Sequence, residues 1–373
     1  MVTMRQGWLT IATVLAICGA AVLVVHRTGL PRADKPPHAD SLLNIPLERT
    51  AVAREEFVRD YRNTDPRHAA ALYQAFLPRI GANGLREGIQ KVFPLCHAEA
   101  HDLGKVIFAK LQDVGASLQS CADACTSGCM HGVLMEFFGA SGSKEGSAHQ
   151  HTQLTAADVG GRIPTFCESP EVTRMYRRGD CAHGVGHAVM FLSNYDIAAA
   201  IDLCERFPTH PLRYYCATGA YMEYVQTRSR TDYPAHGGLY PCEKAPYPAA
   251  CFRYLMTNTT LQEYFRGGTL EKVERQCAGL EGKYRLGCFH GIGFAHLEAV
   301  ARGKATVADT CGFGSREDQT VCIEGVMERL GRLSATTAAE RCEPLADWRS
   351  SVCRAAAARE MYDLDKFFAL YER

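Results

Sequence analysis

The chain is 373 residues long, with 41 Lys+Arg against 41 Asp+Glu and 47% hydrophobic residues. That length can bury a large core, and a balanced charge with no basic block excludes the electrostatic footprint of nucleic-acid binding. Disordered, collagen-like and coiled-coil compositions are excluded as well, which leaves 17 cysteines as the unusual number.

The first predicted element is an uncharged apolar run from Trp8 to Val25. At about 1.5 Å rise per residue it suits a membrane-spanning helix. A cleaved signal peptide is the competing reading, but the run is longer than a usual signal core and has no clear small-x-small site before Arg27. Ile17 before Cys18 is too large for lipoprotein processing. Residues 1–27 therefore read as a short cytoplasmic stub and a transmembrane anchor, with residues 8–25 as the membrane partner. Residues 28–50 are polar, carry Pro31, Pro36, Pro37 and Pro46, and read as a tether. Asp65 before Pro66 then gives the N-cap and first-turn proline of a helix.

Charges flanking the apolar run orient it poorly, with Arg5 on one side and Arg27, Arg32 and Lys35 on the other. The cysteines decide instead. Without Cys18 an even set remains, in close sequential pairs, a usage that persists only in an oxidising compartment. A single-pass membrane protein with the bulk of the chain periplasmic or extracellular is expected.

Residues 51–373 read as one extracytoplasmic domain with an internal period. Cys96, Cys129, Cys181, Cys216, Cys251, Cys288, Cys322 and Cys353 recur about every 35 residues, the size of a helical hairpin. One longer interval holds a Gly/Ser-rich insertion, with His149 and His151 as surface residues inside it. A second cysteine precedes each of the last six, which predicts Cys167–Cys181, Cys204–Cys216, Cys242–Cys251, Cys277–Cys288, Cys311–Cys322 and Cys342–Cys353. Closing each such loop stabilises by roughly 2.5–3 kcal/mol. Cys96, Cys121, Cys125 and Cys129 allow three connectivities, of which Cys96–Cys125 with Cys121–Cys129 is preferred. No Cys-x-x-Cys occurs, and Cys125-x-x-x-Cys129-Met130-His131 is one residue too long for haem attachment. Helix formers dominate between the cysteines and strand alternation is scarce. The predicted fold is all-α: disulfide-stapled helical-hairpin repeats, about eight, stacked as an α-solenoid or an α/α toroid. Ser229 to Pro241 reads as a long loop.

Three units open on Cys-x-His-Gly, at His131, His183 and His290, whereas Thr218 and Glu324 stand at that place in two others. Cysteine and glycine belong to the shared backbone, the glycine for close helix contact; the histidines do not. His97 with His101 and His183 with His187 are spaced four apart, so both rings of each pair share one helix face, the spacing by which a helix offers two metal ligands. From the opening cysteine, positions plus two and plus six lie at about 200° and 240°, away from the disulfide. The candidate metal ligands are His97, His101, His131, His183, His187, His290 and His296. Glu136 and Glu223 are the candidate catalytic carboxylates, as general base or additional ligand. With every paired thiol in a disulfide, imidazole and carboxylate suit zinc, iron or copper.

Three readings follow. One is a membrane-anchored metal-binding protein, as a hydrolase or an oxidoreductase, with its site in the concave face or central cavity. The alternative is a non-enzymatic helical scaffold that binds a partner of the cell envelope. A disulfide-exchange protein ranks last, because no redox dithiol motif is present.

Overall fold

A computed structural model describes residues 45–93, 96–121, 125–138, 156–236, 238–265 and 269–358. Every regular element among them is helical. The apolar run Trp8–Val25, most of the tether, and His149 and His151 lie outside the described residues, within which no helix is long and apolar enough to cross a membrane.

The helices are α1 (Ala51–Arg62), α2 (Ala69–Val92), α3 (His97–Leu111), α4 (Val114–Cys121), α5 (Gly128–Phe137), α6 (Ala156–Phe166), α7 (Pro170–Thr173), α8 (Arg178–Leu192) and α9 (Ile197–Cys204). They continue with α10 (His210–His236), α11 (Pro248–Phe265), α12 (Leu270–Ala278), α13 (Gly282–Ala301), α14 (Val307–Thr310), α15 (Arg316–Leu333), α16 (Ala335–Cys342) and α17 (Asp347–Ala357). Short 3-10 turns cover Leu47–Arg49, Pro66–His68 and Cys125–Ser127. Local chemistry explains several starts. Asp65 accepts the Arg67 backbone N–H ahead of α2, Asp196 caps α9 through Ala198 and Ala199, and Ser315 with Asp318 forms a reciprocal capping box on α15.

All eight expected disulfides are present, including Cys96–Cys125 and Cys121–Cys129. Most join the end of a short helix or turn to the following long helix. The cysteine on the long helix is its fourth or seventh residue in α8, α10, α11, α13, α15 and α17, so these bridges grip the helix body rather than its first residue.

The long helices pack in a row: α3 on α5, α5 on α8, α8 on α10, α10 on α11, α11 on α13, α13 on α15, and α15 on α17. Glycine sets how close three of these pairs come. A Cβ on Gly104 would overlap the Cys129 carbonyl oxygen, and one on Gly132 would overlap that of His101. Gly186 and Gly219 meet the Cys216 and His183 carbonyls in the same way, as Gly293 and Gly325 meet those of Cys322 and His290. Each pair is thus locked by two reciprocal contacts of bare backbone, a spacing that admits Cα–H···O interactions.

Two expectations are corrected. Ser229–Pro241 is not a loop throughout, because α10 runs to His236; Gly237-Gly238 are the first glycines of that segment, and the helix persists until they are reached. Cys96 is also not equivalent to the other opening cysteines. Gly186 and Gly293 lie five residues after Cys181 and Cys288, but the matching Gly104 lies eight after Cys96. Cys96 sits at the N-cap of α3, and the equivalent of His183 and His290 in this unit is His101.

Candidate metal centre

The first two glycine-locked pairs, α3/α5 and α8/α10, meet where α5 packs on α8. Here five imidazoles converge. Ring centroids are 4.8 Å apart for His97 and His101, 5.1 Å for His97 and His131, 4.9 Å for His131 and His183, and 4.9 Å for His183 and His187. His101 also lies 5.0 Å from His187. Four of the five, His97, His131, His183 and His187, each place a ring nitrogen so that all four atoms lie within 4.8 Å of one another, a group that could hold a metal ion.

The hydrogen bonds set the tautomers. The Thr218 hydroxyl donates to the Tyr215 carbonyl at 2.6 Å, so its oxygen accepts from His183 Nδ1 at 2.7 Å. His187 Nδ1 donates to Glu223 Oε2 at 3.0 Å, and His97 Nδ1 donates to the Cys125 carbonyl at 3.3 Å. With Nδ1 carrying the proton, each ring in its neutral form keeps the Nε2 lone pair. The Nε2 atoms of His183 and His187 face one another at 3.2 Å. An acceptor behind each ring, holding its orientation and tautomer, is the kind of support that histidine ligands of metal sites commonly have. Tetrahedral zinc with bonds of 2.0–2.1 Å separates its nitrogens by about 3.3 Å, so the His183–His187 edge already has the right length.

Electrostatics favours the neutral form of three of the rings. Burial first, and then the neighbouring imidazoles, push His101, His131 and His183 well below the ordinary histidine range. For His131 the Asp180 backbone works weakly the other way. Neutral imidazoles are the form a metal requires. His131 is 2% exposed, and Nε2 of His101 has no hydrogen-bond partner among the described residues. A buried acceptor without a donor is costly, and a bound cation would remove that cost.

The remaining candidates lie elsewhere. His296 is buried on α13 with Nδ1 bonded to the Ile292 carbonyl of its own helix at 2.9 Å. His290 belongs to another polar group, with Nε2 3.3 Å from Glu328 Oε2, while Glu328 Oε1 accepts from Arg253 at 2.5 Å. Burial pushes Glu328 up, but Arg253 and His290 outweigh it and hold the carboxyl at about 2. Arg253 also lies 4.2 Å over the Phe294 ring. The two groups adjoin through Tyr254, whose ring is 6.1 Å from His183 and 5.9 Å from Phe294. Glu223 stands behind His187 rather than among the ligand atoms. Glu136, at the matching place on α5, is half-buried and is not one of the four-residue group.

Arg253 is the residue that sequence reasoning missed, although its signal was available. It lies two after Cys251, and Glu328 lies six after Cys322, the same positions that carry His183 and His187 after Cys181. Comparison with models of known protein families, with curated proteins and with solved structures found no match.

Proposed function

We propose that this is an extracytoplasmic metal-binding protein in which His97, His131, His183 and His187 hold one divalent first-row transition ion, zinc, copper or iron. The observation that carries this reading is the pair of lone-pair-bearing Nε2 atoms of His183 and His187, 3.2 Å apart, with both Nδ1 atoms bonded outward. Two lone pairs at that distance repel one another unless a Lewis acid or a proton lies between them, and burial disfavours a proton on the His183 ring. An all-imidazole set suits these metals rather than calcium or magnesium. Glu223 orients His187 and raises its basicity as a ligand.

Eight disulfides fit an oxidising, extracytoplasmic environment. In this reading the glycine-locked pairs are repeats of one unit stacked along the chain, their plus-two and plus-six positions lining a shared inner face. The run Trp8–Val25 tethers the stack to a membrane.

The test uses the full chain in detergent, stripped of metal and dialysed separately against Zn²⁺, Cu²⁺ and Fe²⁺, followed by elemental analysis. One ion per chain is expected. The His183→Ala/His187→Ala variant should lose it while keeping its helical circular dichroism and all its disulfides. Wild-type chain that retains no ion, or a double variant that retains as much, would leave the scaffold reading in place.

A further inference from the structure

Of the eight disulfides, Cys96–Cys125 does not follow the common plan. Its cysteines are 29 residues apart, against 8 to 14 for the others, and Cys96 is displaced to the N-cap of α3. That displacement sits beside a second departure. His97 is the first residue of α3, one turn ahead of His101, and the matching place on α8 is Gly179. The unit with the displaced cysteine is the unit whose ligand in the four-histidine group lies one turn ahead of the common position.

The geometry ties the two together. Cys96 precedes His97 in the chain, and the carbonyl of its disulfide partner Cys125 accepts the His97 Nδ1 proton. One bridge therefore holds both the backbone that carries the ligand and the acceptor that orients its ring. By contrast, His183 and His187 are oriented by side chains of α10, Thr218 and Glu223, which belong to a continuous helix. A ligand in the first turn of a helix is exposed to fraying, where opening costs little. Its acceptor lies in a turn where Cys125 and Ser127 take left-handed backbone angles of φ 52° and 64°. Such conformations cost about 1–3 kcal/mol for residues with a Cβ and persist only where the surroundings enforce them. Cys96–Cys125 enforces this one, together with Cys121–Cys129 and the close seat of Gly128 on the His97 carbonyl.

We propose that the Cys96–Cys125 disulfide is the positioning element of His97, so that the metal centre is complete only when this pair is oxidised. This rests on the metal-binding reading above. In the forming step the two thiols lose two protons and two electrons to a disulfide-bearing oxidant. That oxidant leaves as a pair of thiols as the Cys96–Cys125 bond closes. A dithiol reductant runs the step backwards, releasing the Cys125 carbonyl and with it the His97 ring.

The experiment measures zinc affinity of the full chain by competition with a chromogenic chelator. Cys96→Ser/Cys125→Ser should weaken zinc binding about 10- to 100-fold, the usual effect of losing the support of a ligand. His97→Ala should weaken it comparably, and adding the two serines to His97→Ala should do nothing more, because both act through one ring. Cys342→Ser/Cys353→Ser should leave affinity unchanged. Wild-type affinity in Cys96→Ser/Cys125→Ser, or a further loss when the serines are added to His97→Ala, overturns the proposal while leaving the metal site standing. Wild-type chain that binds no zinc, copper or iron removes the site itself.

A second readout needs no variant. By linkage, bound zinc must make Cys96–Cys125 harder to reduce by the factor that reduction costs in affinity, and must leave Cys342–Cys353 unaffected. Differential alkylation and peptide mapping at graded dithiol concentrations read both bridges. Equal protection of the two, or protection of neither, also overturns the proposal.

Discussion

The backbone of Gly219 rests so closely against the carbonyl of His183 that a Cβ added to the glycine would overlap that oxygen. The contact that locks α8 to α10 is therefore also the contact that positions a candidate ligand and its Thr218 acceptor, one residue before the glycine. Packing and site chemistry share the same few atoms.

Gly219→Ala should consequently destabilise the chain by about 3 kcal/mol, the upper part of the usual range for overpacking, because backbone blocks the methyl on the far side. Gly161→Ala is the matched control. That glycine is exposed in α6 and nothing lies within 4 Å of an added Cβ, so the change should stabilise by about 0.5–1 kcal/mol. Denaturant unfolding of the two variants beside the wild type separates the predictions; equal effects would mean that α8 and α10 do not approach as described.

Arg253 and Glu328 form a buried ion pair, their side chains 5% and 6% exposed. Glu328→Gln leaves Arg253 charged without a counter-ion and should cost about 3–5 kcal/mol, whereas Arg253→Met with Glu328→Leu should cost markedly less. The pH dependence has a definite sign. The folded-state pKa of Glu328, about 2, lies below the ordinary carboxyl value of 4.5. Its contribution to stability is therefore present above about pH 4.5 and is lost as pH falls toward 2. Acid unfolding of the paired apolar variant should lack that component. A double variant as unstable as the single one would contradict the pairing.

The histidine cluster titrates in a different window. His101, His131 and His183 are depressed in the folded chain, so the unfolded chain takes up protons first as pH falls below about 6.5. Metal-free protein should lose stability from that point downward, each such group contributing up to about 1.4 kcal/mol per pH unit until its folded value is reached. Urea unfolding between pH 5 and 7 measures the slope, which should be shallower in His183→Ala. A flat profile in the wild type would mean that these rings are not buried neutral. Saturating zinc should raise stability most at the neutral end, where protons do not compete for the same nitrogens.

Much of this was legible in the residues. Cysteines 9 to 14 apart across turn signals have few partners within reach, so the six sequential bridges followed from loop closure alone. Helical periodicity put His183 beside His187 and away from the disulfide. The same arithmetic, applied at plus eight, turns His296 to about 80°, off the inner face, and its side chain indeed bonds back to Ile292. What the spacing concealed is that Cys96 lies at the N-cap of α3, farther from Gly104 than Cys181 is from Gly186, although its interval to Cys129 matches the other cysteine intervals.

Local sequence determines what local forces control: the helices, their caps, the short-range disulfides, and the face on which each histidine lies. It does not determine which faces meet. That His97, His101 and His131 close on His183 and His187, while His290 turns to Glu328 and Arg253, depends on contacts between residues 35 to 90 positions apart. Those contacts are settled by backbone fit at the glycines and by burial of charge. Both are properties of packed helices, and neither exists in any one helix taken alone.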